Sequence, residues 1–207
     1  MVEIIVGGIV IVVAAIYLKI QKKNAAIRDF QALVEKYIKS YQFEECDKPM
    51  IERCRLYISS RFSGRIEDHF ARYETEAEKE QLLYSVAQEL ISRMDVKVDK
   101  VEILDLDPHT HGQAGKSPTG EVVVQLNKNL LHTDPKQLIK TLCHELRHCV
   151  QFQSITDNVW GYSDQRVALW MANKEDYFNP MERTFETYEL QPLELDANAF
   201  AESVIPN

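Results

Sequence analysis

The spacing of apolar residues changes character several times along the chain. Ile4 to Leu18 is an uncharged run rich in Ile and Val, with Lys19, Lys22 and Lys23 following it. From Asn24 to about Tyr41, apolar residues recur at helical spacing: Ile27, Phe30, Val34, Tyr37, Ile38 and Tyr41. A second helix is expected from Pro49 to about Ser60, with proline in its first turn. A third is expected from about Thr75 to Met94, on Leu82, Leu83, Val86, Leu90 and Ile91, with acidic residues near its start where the helix dipole favours them.

Beyond Met94 the period becomes two. Val96 to Leu106 alternates apolar and polar positions as a half-buried strand does, and Glu121 to Leu126, built on Val122-Val123-Val124, is a second strand. The two are expected to be antiparallel neighbours, joined through a loop or hairpin connection over Asp107 to Thr119. A helix from Pro135 to about Phe152 is strongly specified. Asp134 is its cap, Pro135 takes the first position, and Gln137 completes an Asp-x-x-Gln capping box. Val159 to Tyr188 reads as helical pieces, and a last helix begins near Pro192 and runs towards Val204.

The N-terminal run is close to the roughly 20 residues of a membrane span. Lys19 can snorkel, so Val2 to Ile20 just suffices. Positive charge follows the run and does not precede it, which is the reverse of a secretory signal peptide. The expectation is a single-pass anchor over residues 1–23 with the body of the protein in the cytoplasm. A helical region over 24–94 and a catalytic domain over 95–207 would follow. The chain has 207 residues, with 32 acidic against 24 basic side chains and a formal charge of -8. An acidic surface repels phosphate backbones, so no nucleic-acid partner is expected. Cys46, Cys54, Cys143 and Cys149 form no CxxC pair and read as reduced thiols rather than a zinc knuckle.

The chemistry concentrates on His144-Glu145-Leu146-Arg147-His148. Four helical residues rotate about 400°, so His144 and His148 project from one face, one turn apart. Two imidazole nitrogens can then reach one Zn²⁺ at about 2.0–2.1 Å. In an HExxH arrangement the carboxylate, here Glu145, does not bind the metal; it takes a proton from the attacking water. A catalytic site needs a third protein ligand. Glu194 is favoured, with Asn198 one turn on as a candidate partner for the outer nitrogen of a ligand histidine. Asp196 and Glu182 are its rivals. An oxyanion donor is also expected. Tyr188 is ranked first for that part, ahead of Tyr162, His109 and His111; the His109-Thr-His111 pair reads more simply as an exposed loop.

Gly120-Glu-Val-Val-Val-Gln-Leu-Asn, then HELRH, then Glu194-Leu-Asp-Ala-Asn-Ala-Phe-Ala with Pro206 near the end resembles the ImmA/IrrE-type minimal metallopeptidases, and more broadly the gluzincin peptidases. The resemblance covers roughly residues 95–207. It implies that His144, His148 and Glu194 bind zinc and that Glu145 is the catalytic base. It also implies a cytoplasmic enzyme cleaving a regulatory protein. That family usually carries glycine before the second histidine, where this chain has Arg147.

The fold expected is therefore α+β and zincin-like, a small sheet beside the HExxH helix, with Glu121 to Asn127 as the edge strand that pairs with extended substrate. The function expected is hydrolysis of peptide bonds in a protein or peptide substrate by a membrane-anchored zinc metallopeptidase. The alternative is a catalytically silent zinc-binding interaction module at the membrane.

Overall fold

A computed structural model describes residues 41–175 and 188–206. The apolar run before Lys19, the helix expected from Asn24, and Glu182 lie outside the described residues. Among the described residues no helix is long and apolar enough to cross a membrane.

Local signals account for most helix ends. Helix α1 spans Asp47–Arg61, two residues longer at its start than proline placement suggests, because the Asp47 carboxylate accepts from the Glu44 N–H and closes the preceding turn. A short α2, Ile66–Phe70, has no amphipathic period long enough to be read from sequence. Helix α3, Glu76–Met94, is started by a complete Thr75/Glu78 capping box and stopped by Asp95 in the left-handed region.

The α+β class holds, with a three-stranded mixed sheet in the order β1-β3-β2. Strands β1 (Lys100–Leu104) and β3 (Val122–Asn127) are parallel, with Val101 opposite Val124 and Ile103 opposite Leu126. The antiparallel pairing expected of them is therefore corrected. The segment between them supplies β2, Gly112–Lys116, which runs antiparallel to β3 with Gly112 opposite Leu126. Gly120, at a positive φ of 88°, makes the turn between β2 and β3. Strand β3 is thus central rather than an edge, and β2 is the edge strand on its far side.

Helix α4 (Leu130–Thr133) leads into α5, Pro135–Thr156, four residues longer than its periodicity suggests. Asp134 caps α5 by accepting from the Gln137 N–H. The reciprocal half of the expected capping box is missing. The Asp134 N–H is already bonded to the Leu130 carbonyl, and the Gln137 side chain turns to Thr141 instead. Helices α6 (Asp164–Glu175) and α7 (Pro192–Val204) complete the described chain.

Helix α5 is buried on nearly all sides, as a central helix must be. It packs on β2 and β3 with one face and on α7 with another, while α2, α3, α4 and α6 also contact it. Residues from Gln42 onward form one compact unit, and side chains on both sides of Met94 share its hydrophobic core.

Candidate metal centre

The HELRH helix carries the site. His144 and His148 lie one turn apart on α5, with their Nε2 atoms 3.0 Å from each other. Glu194, in the first turn of α7, faces both: one carboxylate oxygen is 3.3 Å from His144 Nε2 and the other 3.2 Å from His148 Nε2. The start of α7 is fixed from α6, where Asn173 accepts from the Leu193 N–H and donates to the Gln191 side chain. That contact satisfies an N–H the helix leaves open.

These residues fit a metal ion. Their donor atoms lie within 4.8 Å of one another. The sides of the triangle are close to the edge of a tetrahedron with zinc-like bonds, about 3.3–3.4 Å for bonds near 2.05 Å. Two imidazoles and one carboxylate are also a zinc-type donor set. The cluster is buried at Glu194, 2% exposed, and opens towards solvent at His144, 17% exposed. Among the described residues, it is the one group of His, Cys, Asp and Glu side chains with this convergence.

The carboxylates beside the two histidines favour positive charge on them. Burial would lower the His148 pKa, but the Glu194 carboxylate beside it, with Glu145 and Gln151, raises it to about 9. Burial pushes Glu194 up, and the two histidines overcome this and hold its carboxyl well below the usual carboxylate range. Glu145 is 5% exposed. Burial raises its pKa against the pull of His144 and His148, while Glu194 adds to the rise.

Edge strand β2 lies against this helix. A Cβ on Gly112 would stand 2.7 Å from Thr141 Cγ2, 3.0 Å from the Gln125 carbonyl oxygen and 3.1 Å from Glu145 Cγ. Glycine is required there because strand and helix approach more closely than a side chain permits. The segment expected to be a loop or hairpin connection thus supplies the strand beside Glu145.

Arg147 and Asp196 form a second, deeper arrangement. The Arg147 guanidinium is fully buried. It donates from Nε and Nη2 to the two Asp196 oxygens at 2.7 and 3.0 Å, and from Nη1 to Tyr162 Oη at 2.6 Å. Its Nη2 also lies 2.7 Å from Asp47 Oδ1, which accepts from the Tyr162 hydroxyl at 2.7 Å. Arg166 adds a bond to Asp196 at 3.1 Å and reaches the Gln42 carbonyl at 2.7 Å. The rings of Tyr162, Trp170 and Phe200 surround the Arg147 guanidinium.

Asp196 holds two arginines and lies outside the His144–His148–Glu194 cluster. The Tyr162 hydroxyl is engaged by Arg147 and Asp47. His109 and His111 are exposed. Tyr188 is half-buried in the turn before α7, its carbonyl accepting from the Gln191 backbone and side chain. Gln151, rather than Asn198, meets the outer nitrogen of His148, at 2.8 Å. Sequence reasoning missed Gln151, although its i+3 spacing from His148 puts the two on neighbouring positions of one helix face. All four cysteines are unpaired; burial pushes Cys54 up to about 11 and Cys149 up to about 12.

No protein-family profile, curated protein sequence or solved structure matches this chain.

Proposed function

We propose that the chain is a zinc-dependent hydrolase of peptide bonds with a zincin-like active site, resembling the ImmA/IrrE-type metallopeptidases. The observation that carries this reading is the convergence of His144, His148 and Glu194 with Glu145 beside them on the same helix. A silent metal-binding module has no need of a buried carboxylate at that position.

The chemistry a bound zinc supplies is Lewis acidity: it polarises a carbonyl and eases the ionisation of water. His144, His148 and Glu194 hold it. Glu145 takes a proton from the attacking water and delivers it to the leaving amine. Strand β2 presents an edge along which an extended peptide adds as a further strand, its main chain lying beside Glu145. Gly112 keeps that edge close to the helix. Tyr188 is the proposed donor to the oxyanion. The substrate class is a protein or peptide, with a regulatory protein the expectation that follows from the resemblance. The uncharged apolar run from Ile4 to Leu18 supports tethering at a membrane with the catalytic part on the cytoplasmic side.

The test is direct. The full chain, supplied with zinc, is incubated with a mixture of unfolded proteins, and new N-termini are identified by mass spectrometry. Wild type generates them and Glu145→Gln does not, although the variant still binds zinc. Equal cleavage by the two proteins refutes Glu145 as the base. No cleavage by either, with zinc bound, favours the silent module.

A further inference from the structure

A neutral ligand histidine has a lone pair on one ring nitrogen and a proton on the other, and only the lone pair binds a metal. Which nitrogen faces the site is set by geometry; which one keeps the proton is set by what the other nitrogen meets. For His148 that neighbour is Gln151. An amide can present either its oxygen or its NH₂, so the question becomes what fixes the amide.

Two groups fix it. The Gln151 Nε2 lies 2.9 Å from the Leu193 carbonyl oxygen and 2.7 Å from Asp196 Oδ2. The first is an acceptor only. The second belongs to a carboxylate clamped by Arg147 through two hydrogen bonds and by Arg166 through a third. Reversing the amide would set Oε1 against two oxygens with no proton between them. The Gln151 Oε1 therefore points at His148 Nδ1, and that nitrogen must donate.

We infer that Gln151 is a positioning residue for the metal centre: its amide, locked by Leu193 and the Arg147–Asp196–Arg166 cluster, presents an acceptor to His148 Nδ1 and so holds the ring with Nε2 turned towards Glu194 and His144, where a metal ion would displace the Nε2 proton. This rests on the metal-centre reading of those three residues. It also gives Arg147 a part in the site without contact to substrate. The arginine holds the carboxylate that orients the amide that orients the ligand. Second partners of this kind commonly change metal affinity by about 10- to 100-fold.

The test compares wild type, Gln151→Met and Gln151→Glu as full-length chains. Nitrogen-15-edited spectra of the zinc-loaded protein report whether His148 Nδ1 carries a hydrogen-bonded proton. Competition with a chromophoric chelator reports zinc affinity. In wild type, that proton is present and shifted downfield. Gln151→Met, which removes the acceptor, loses the downfield shift and weakens zinc binding by about 10- to 100-fold. Gln151→Glu restores the wild-type pattern and most of the affinity, because a neutral carboxylic acid can accept from His148 with its C=O and donate to Asp196 with its O–H. A residue that only packed or tied α5 to α7 would lower thermal stability in Gln151→Met without weakening zinc binding. Unchanged zinc affinity in Gln151→Met, or a wild-type Nδ1 without a hydrogen-bonded proton, overturns the inference. A wild type that binds no zinc overturns the metal-centre reading instead.

Discussion

Replacing Arg147 with methionine keeps much of the side-chain volume and removes the charge. The wild-type guanidinium is fully buried and bonded to Asp196, Asp47 and Tyr162. In the variant, Asp196 still has Arg166, but Asp47 is left in the core with the Glu44 N–H and the Tyr162 hydroxyl as its remaining hydrogen-bond partners. Removing one partner of a buried ion pair costs about 3–5 kcal/mol, most of it the desolvated charge left behind. With a urea slope of about 2 kcal/mol/M, the unfolding midpoint should fall by about 1.5–2.5 M at unchanged slope. Adding Asp47→Asn to the variant removes the orphaned charge and should recover part of the loss. Equilibrium unfolding followed by tryptophan fluorescence measures both. A loss below about 1 kcal/mol, or no recovery in the double variant, refutes the claim that Arg147 neutralises a buried carboxylate.

Three further outcomes follow from the site. Gly112→Ala should reduce peptide cleavage while leaving zinc content intact, because the new methyl group meets Thr141 and Glu145; cleavage at the wild-type rate would show that strand and helix have room to separate. Metal-free protein should lose stability as pH rises from about 6.5 to about 9. His148 has a raised folded-state pKa of about 9, so its contribution is complete below the ordinary histidine value and gone above the folded one. Flat stability over that window in wild type, or the same slope in His148→Gln, contradicts the assignment. In the same window zinc must displace a proton from His148, so apparent zinc affinity should rise with pH and level off near 9; an affinity independent of pH would contradict it.

The site was more legible than the sheet, for physical reasons. HELRH in a capped helix is a local pattern, and Pro192 followed by Glu194 is another; one helix period places each side chain. Strand alternation in Val101, Ile103, Val122 and Val124 reveals which residues face the core but not which strand pairs with which, or in what direction. Strand β2 was legible only as part of a loop or hairpin connection. Gly112-Gln-Ala-Gly-Lys116 has no β-branched residue, yet the free side of β3 and the closeness of α5 make it a strand. The Arg147 cluster joins residues about a hundred positions apart, such as Asp47 and Arg147, and no local period reports such a contact.

The proposed chemistry needs one metal ion held by His144, His148 and Glu194. Metal content of the purified full-length chain is the decisive measurement, with wild type compared with His148→Ala and Glu194→Ala. About one zinc per chain is expected in wild type, with its loss in both variants. A wild type that takes up no zinc, or a Glu194→Ala variant that retains it in full, would rule out the three-ligand site.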